Sequence, residues 1–317
     1  MKALRFKSYG PPSVLAIEEI PKPEPRAGEA LIQIKATAIN PSDVKNVAGS
    51  FKSPLPRVPG RDYAGVVVGG DMQRGLEVWG SGAGFGVNRD GAHAEFVVVP
   101  SDSISPKPIH LSMEQASAIG VPYLAAWSAL VTGGAIQSGE TVLIVGVSGA
   151  VGRAATQIAH WKKARVIGAS TSPDNPSGAD AMVNTKTQQL DEAVRALTDG
   201  KGADLVLDAV GGPMFEPSLK SLRRGGRQIA LTSGKDRRVS FDLIDFYHNQ
   251  SHLIGVDTVK LTGPEIASIM NALREGFEEG RFQAPPVITL SFERAVEAYT
   301  AVEKGAHSKY VLTLSAT

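Results

Sequence analysis

The 317-residue sequence contains no cysteine, which excludes disulfides, a thiolate nucleophile and every cysteine-based zinc site. It carries almost no net charge. With 33 basic and 32 acidic residues, a formal +1, no overall field draws it to nucleic acid or an anionic membrane, and small molecules are the expected partners. No run of about 18 apolar residues offers a membrane span, and the opening MKALRFKSYGPPSVL lacks the apolar segment of a secretory signal. The expectation is a cytoplasmic protein with neither a membrane nor a nucleic-acid partner. Histidine is also scarce. Of the six, only His248 and His252 have helical i, i+4 spacing, and no Glu completes an HExxH pattern, so a surface or interface pair is the reading that follows.

What is present is ordinary globular usage, 42% hydrophobic and 21% charged, in a chain long enough for two domains. Up to about Pro108 the pattern is short β segments broken by Pro and Gly, with strands expected at Ala30–Ala36, Tyr63–Val68 and Glu95–Val99. After about Ser112 helical stretches alternate with short apolar runs: VLIV (142–145), RVIGA (165–169), DLVLDAV (204–210), RQIAL (227–231) and HLIGV (252–256). Strands separated by helices imply βαβ units and a parallel sheet. The tail reads as a helix over Ile266–Gly280, a strand at Val287–Leu290, a helix over Phe292–Lys304 and a strand at Tyr310–Leu314, an α+β ending able to rejoin the first region.

One segment carries chemistry. TVLIVGVSGAVGRAATQIAHWKKARVIGAS places a strand, a glycine-rich turn, an apolar-faced helix and a second strand within one βαβ length. Gly146, Gly149 and Gly152 are spaced so that backbone amides can approach a pyrophosphate while the helix points its positive end at it. The middle glycine of the usual G-x-G-x-x-G is replaced by Val147 or Ser148, so the strand before and the helix after carry the assignment. An NAD-selective site closes the second strand with a carboxylate for the ribose hydroxyls. Here Ser170, Thr171 and Ser172 close it, which removes a charge that would repel a 2′-phosphate and favours NADPH over NADH. No Lys or Arg lies within Ser170–Ala181, so a positive partner has to come from elsewhere, such as Lys235, Arg237 or Arg238; a solvated loop explains those three equally well.

Taken together, YGPPSVLAIEEIPKPEPRAGEALIQIKATAINPSD, VPGRDYAGVVV, GAHAEFVVVP, GVPYLAAWSAL, the glycine turn, DLVLDAVGG and HSKYVLTL resemble the zinc-free quinone oxidoreductase and enone reductase branch of the medium-chain dehydrogenase/reductase superfamily. The resemblance spans nearly the whole chain. It implies an α/β protein: a GroES-like β-rich catalytic domain over 1–121, a Rossmann domain with a doubly wound parallel sheet over 122–258, a return to the catalytic domain over 259–317, a cleft between them and a homodimer. Cofactor-binding positions carried over are Gly146, Ser148, Gly149, Ala150, Val151, Gly152, Ser170, Thr171, Ser172, Val210, Thr232 and Ser233.

Zinc-dependent relatives carry Cys where Asn40 stands and His-Glu where Arg61-Asp62 stands, so no zinc is expected. The family's N-P-x-D motif matches Asn40-Pro41-Ser42-Asp43. By resemblance Asn40 faces the nicotinamide or the substrate carbonyl, Asp43 braces the motif, and Lys45 lies in the cleft, where an amide or ammonium stabilises the charge that develops as hydride arrives. An ordinary turn fits the same four residues. Tyr63 fits either a proton donor or a core tyrosine. The chain departs from the family in a shortened Gly69–Gly80 loop and in the segment after Ser172, which is cut to PDNPSG. The expected activity is an NADPH-dependent reductase of quinones or α,β-unsaturated carbonyls. The alternatives are a catalytically silent NADPH-binding sensor or structural protein, and an enoyl reductase acting on carrier-bound chains.

Overall fold

The computed structural model describes residues 1–172, 177–234, 237–306 and 308–314. The chain divides into two compact units, one of Met1–Leu124 with Val259–Thr317 and one of Ala125–Thr258.

The first unit opens with β1 (Lys2–Arg5) and β2 (Ala16–Glu19), an antiparallel pair, followed by the long β3 (Glu29–Ala38). Pro41 then sits at the first position of the short helix α1 (Pro41–Val47), where its missing N–H costs nothing. Four strands complete this run: β4 (Asp62–Gly70), β5 (Glu77–Ser81), β6 (Phe96–Pro100) and β7 (Ser105–Pro106). The alternation of Ala30, Ile32 and Ile34 along β3 puts a row of apolar side chains into a core shared with Val67, Val78, Val97 and Val99. Helix α2 (Met113–Trp127) follows and passes into a π-helical stretch at Ser128–Gly133. The segment Met113–Gly133 is long and apolar enough to cross a membrane, but 72% of its window is buried inside the protein, so its apolar surface is spent on packing.

The second unit is a six-stranded sheet in which every neighbouring pair is parallel. Its elements are β8 (Thr141–Val145), α3 (Ala150–Trp161), β9 (Arg165–Ser170), β10 (Ala181–Asn184), α4 (Leu190–Ala196), β11 (Ala203–Asp208), α5 (Phe215–Lys220), β12 (Leu222–Ala230), α6 (Leu243–His248) and β13 (His252–Gly255). The order β10-β9-β8-β11-β12-β13 reverses direction between β8 and β11, which makes the carboxyl end of β8 the topological switch point where such sheets bind ligands. Leu143, Val145, Ile167, Val206 and Leu222 are fully buried, as the apolar runs of a sheet covered on both faces require.

The chain returns to the first unit through α7 (Gly263–Glu278), β14 (Val287–Ser291), α8 (Ala295–Glu303) and β15 (Lys309–Thr313). Strand β15 pairs antiparallel with β3 and parallel with β14, so the carboxyl-terminal segment completes the sheet begun by the amino-terminal one. The helical spacing of His248 and His252 is not realised: α6 ends at His248, and His252 opens β13 after Gln250 adopts φ 52°. Among the described residues no group of three His, Cys, Asp or Glu is arranged to hold a metal ion.

Candidate active site

The glycine turn lies at the switch point. Gly146 leaves β8 with φ 82°, a conformation that disfavours any side chain. Gly152 has a different reason: a Cβ there would stand 2.5 Å from both the Gly146 carbonyl oxygen and Val147 Cα, so only glycine lets α3 start this close to β8. The first intrahelical bond is Arg153 N–H to the Gly149 carbonyl at 2.9 Å, which leaves the amides of Ala150, Val151 and Gly152 in the first turn without helical acceptors. Gly149 and Ala150 are exposed, so this amide cluster is open to an anion, and a diphosphate fits it.

The neighbouring loops close around the same turn. Asp208, buried at the end of β11, accepts from the amides of Val210 and Gly211 at 2.9 Å each. That loop sets Val210 against Gly146, where a Cβ would meet Val210 Cγ2 at 3.0 Å, and Gly211 against Thr232 and Ser233. On the other side the Ser148 hydroxyl donates to Ser170 Oγ at 3.0 Å, and the Ser172 amide donates to the same oxygen at 3.0 Å. Thr171 and Ser172 are exposed. Arg153 donates through Nε to the Ser148 carbonyl at 3.0 Å, which places a guanidinium next to the residue that holds Ser170. Sequence reasoning overlooked Arg153 because it sought a cation after the second strand, whereas this one arises on the helix before it. Lys235, one of the cations considered there, lies outside the described residues; Arg237 and Arg238 are exposed.

In the first unit Asn40 and Asp43 are buried. Asp43 accepts at Oδ2 from the Asn40 backbone amide at 2.8 Å and from Asn40 Nδ2 at 3.2 Å, while Nδ2 also donates to Asp62 Oδ2 at 2.8 Å. Asp62 Oδ1 accepts from the Ser81 hydroxyl at 2.6 Å and from the Val121 amide at 2.9 Å. Gly120 makes the last contact feasible, because a Cβ there would collide with the Asp62 carboxylate. The ammonium of Lys309 on β15 donates to Asn40 Oδ1 and stands 3.8 Å from Asp62 Oδ2. Burial and the neighbouring Asp62 charge raise Asp43 to about 6, against the pull of its Asn40 bond, Arg61 and Lys309. Burial lowers Lys309 from the ordinary lysine value, and Asp62 and Asp43 work against that.

Asn40 and Asp43 are therefore brought together as the motif implies, but both Asn40 amide hydrogens are directed at carboxylates. A donor role toward a substrate oxygen would require one of those bonds to open. Lys45 is exposed on α1, two positions from Asp43 and so on a different side of the helix. Tyr63 is 1% exposed and meets the Phe85 ring edge-on at 6.0 Å, with its hydroxyl buried and without a hydrogen-bond partner among the described residues. Burial raises its pKa further above the usual value. That is the core placement of the two considered. The positions where zinc-dependent relatives place Cys and Glu here hold an amide and a carboxylate already joined to an ammonium. This donor set does not fit zinc, which takes deprotonated N, S or O ligands and is repelled by a fixed cation.

A doubly wound parallel sheet with a glycine turn at its switch point defines a dinucleotide-binding architecture. Residues 26–109 match the alcohol dehydrogenase GroES-like domain, and residues 150–274 match the zinc-binding dehydrogenase family. The chain is 33% identical to a zinc-type alcohol dehydrogenase-like protein of Schizosaccharomyces pombe, over 99% of this chain and 98% of that one. It is 29% identical to a quinone oxidoreductase of Homo sapiens over 99% and 98% of the two chains. A solved alcohol dehydrogenase superfamily protein from Novosphingobium aromaticivorans superposes with a TM-score of 0.89 at 28% identity, covering 99% of this chain and 100% of that one. The chain belongs to the medium-chain dehydrogenase/reductase superfamily, a family that binds nicotinamide cofactors, with a GroES-like β-rich domain and a Rossmann domain.

Proposed function

We propose that this protein is an NADPH-dependent reductase that acts on a quinone or an α,β-unsaturated carbonyl without zinc, as a homodimer. The observation that carries the reading is the Gly146–Gly152 turn at the switch point, with a serine, Ser170, closing β9 where an NAD-selective sheet carries a carboxylate. The quinone oxidoreductase relatives support the acceptor class.

In this reading the amides of Ala150, Val151 and Gly152 bind the diphosphate, with Gly146 and Gly149 keeping the approach clear. Ser170, Thr171 and Ser172 offer hydroxyls to a 2′-phosphate, and Arg153 supplies the positive charge. Val210, Thr232 and Ser233 line the nicotinamide half. When bound, the cofactor supplies hydride to the conjugated acceptor. Opening one of the Asn40 Nδ2 bonds, to Asp43 or to Asp62, would free a donor for the acceptor oxygen on which negative charge develops, and solvent returns the proton.

The test is steady-state turnover of the purified, chelator-treated chain with NADPH or NADH and a panel of simple quinones and enones. Loss of nicotinamide absorbance that depends on acceptor, prefers NADPH and is unaffected by chelation is expected. Tight NADPH uptake with no turnover on any acceptor would leave the silent binding protein as the correct reading.

A further inference from the structure

Lys309 and Asn40 are 269 positions apart, yet the lysine ammonium is bonded to the asparagine amide oxygen. Its side chain is 9% exposed and that of Asp62 is fully buried. Withdrawing an ammonium from water carries a large desolvation cost, which only closely placed opposite charge offsets. Here that charge is Asp62, with Asp43 behind it, and the two carboxylates share a single donor, Asn40 Nδ2, at 2.8 and 3.2 Å. Two carboxylates so placed repel each other, and one takes up a proton unless a cation stands nearby.

The same charges decide which way the Asn40 amide points. An ammonium has only donors to offer and ionised carboxylates only acceptors. Oδ1 must therefore face Lys309, and Nδ2 must face Asp43 and Asp62. Reversing the amide would set its N–H groups against an ammonium and its oxygen against two carboxylates, losing the three bonds that the side-chain amide makes.

We propose that Lys309 is the positioning residue of this site: its ammonium fixes the orientation of the Asn40 amide and keeps Asp43 and Asp62 together as a buried carboxylate pair. The proposal rests on the reductase reading for its kinetic consequence, though not for its effect on Asp43. The charged and titratable groups around the ammonium are Asp62 on β4 with Arg61 beside it, Asp43 on α1, and, further along, Tyr299 on α8 and His93, both of which sense this cluster.

The experiment compares the full-length wild type with Lys309→Gln and Lys309→Arg. Lys309→Gln keeps a donor for Asn40 Oδ1 and a similar volume but removes the charge, and thermal melting reports whether it folds. Carbon-13 NMR of the side-chain carboxyls follows Asp43 without any cofactor. Its titration is expected to move up by about one unit or more in Lys309→Gln and to return close to the wild-type position in Lys309→Arg. With NADPH and menadione, kcat of Lys309→Gln is expected to fall about tenfold or more with little change in the KM for NADPH, its acid limb moving with Asp43, and Lys309→Arg is expected to recover most of the loss. An Asp43 titration that does not move in Lys309→Gln overturns the proposal, whatever the turnover. So does a wild-type kcat and pH profile in Lys309→Gln. Should Lys309→Gln fail to fold, Lys309→Arg alone decides: an unmoved Asp43 titration with near wild-type kcat supports the proposal, and a kcat lost despite an intact fold overturns it. A wild type that consumes no NADPH contradicts the reductase reading and leaves the Asp43 comparison standing.

Discussion

The Tyr299 hydroxyl lies 2.9 Å from Nδ1 of His93, and Nε2 of the same ring lies 3.3 Å from the Ala38 carbonyl. A carbonyl can only accept, so the neutral ring carries its proton on Nε2 and takes the tyrosine proton at Nδ1. Burial holds His93 down at about 4, outweighing the Ala38 bond that favours the charged ring. Tyr299→Phe removes the donor and leaves a buried acceptor unsatisfied, at an expected cost of about 1–3 kcal/mol. Urea unfolding of the variant checks it; an unchanged midpoint would mean that the bond contributes nothing.

The pH response of stability follows from two groups of opposite sign. His93 has a folded value of about 4 against an ordinary 6.5, so its contribution is complete above 6.5 and is lost as pH falls toward 4. Asp43 has a folded value of about 6 against 3.8, so the folded chain binds its proton more tightly and gains stability as pH falls through the same window. In the wild type the two largely offset. Asp43→Asn removes only the second, so its stability should fall more steeply than that of the wild type between about pH 6.5 and about pH 4. Denaturant midpoints at several pH values test this, and parallel curves would count against it.

Cofactor choice depends on the edge of β9. Ser170→Asp restores the carboxylate of an NAD-selective sheet, and NADPH affinity should fall about tenfold or more while NADH affinity holds or improves. Arg153→Ala should weaken NADPH about tenfold without touching NADH, because only one of the two carries the 2′-phosphate. Calorimetry with both cofactors reads the two variants. Equal losses for both would place Arg153 at the diphosphate instead.

The outer strand β13 leaves Leu253 42% exposed, and α6 just before it leaves Leu243 64%, Ile244 56% and Tyr247 55% exposed. A strand edge with no partner among the described residues, beside such side chains, favours association with a second copy. Sedimentation velocity should show a dimer at micromolar concentration, and Leu243→Glu with Tyr247→Glu should shift it to monomer. A monomer in the unaltered chain would refute the homodimer.

Most of the sheets were legible because their strands are apolar runs bounded by Gly, Pro and polar residues, as at 142–145 and 165–169. Strand β10 was not, since AMVN is four residues long and follows a segment without periodicity. The glycine turn was legible because its spacing and flanking elements are local. The Asn40–Asp43 motif was legible for the same reason. Of its partners, Asp62, 22 positions from Asn40, was reached only through the resemblance to zinc-dependent relatives, and Lys309, 269 positions away, was not reached, because nothing local marks a lysine near the carboxyl terminus as buried. His248 and His252 show the reverse failure, a helical spacing in residues that a helix end separates.

The most direct measurement uses NADPH carrying deuterium on the transferable face of C4, mixed with the chelator-treated chain and a simple enone. The account predicts that nicotinamide absorbance falls and that the label appears on the β-carbon of the saturated ketone. Unlabelled product, or no loss of absorbance with any conjugated acceptor, would contradict it.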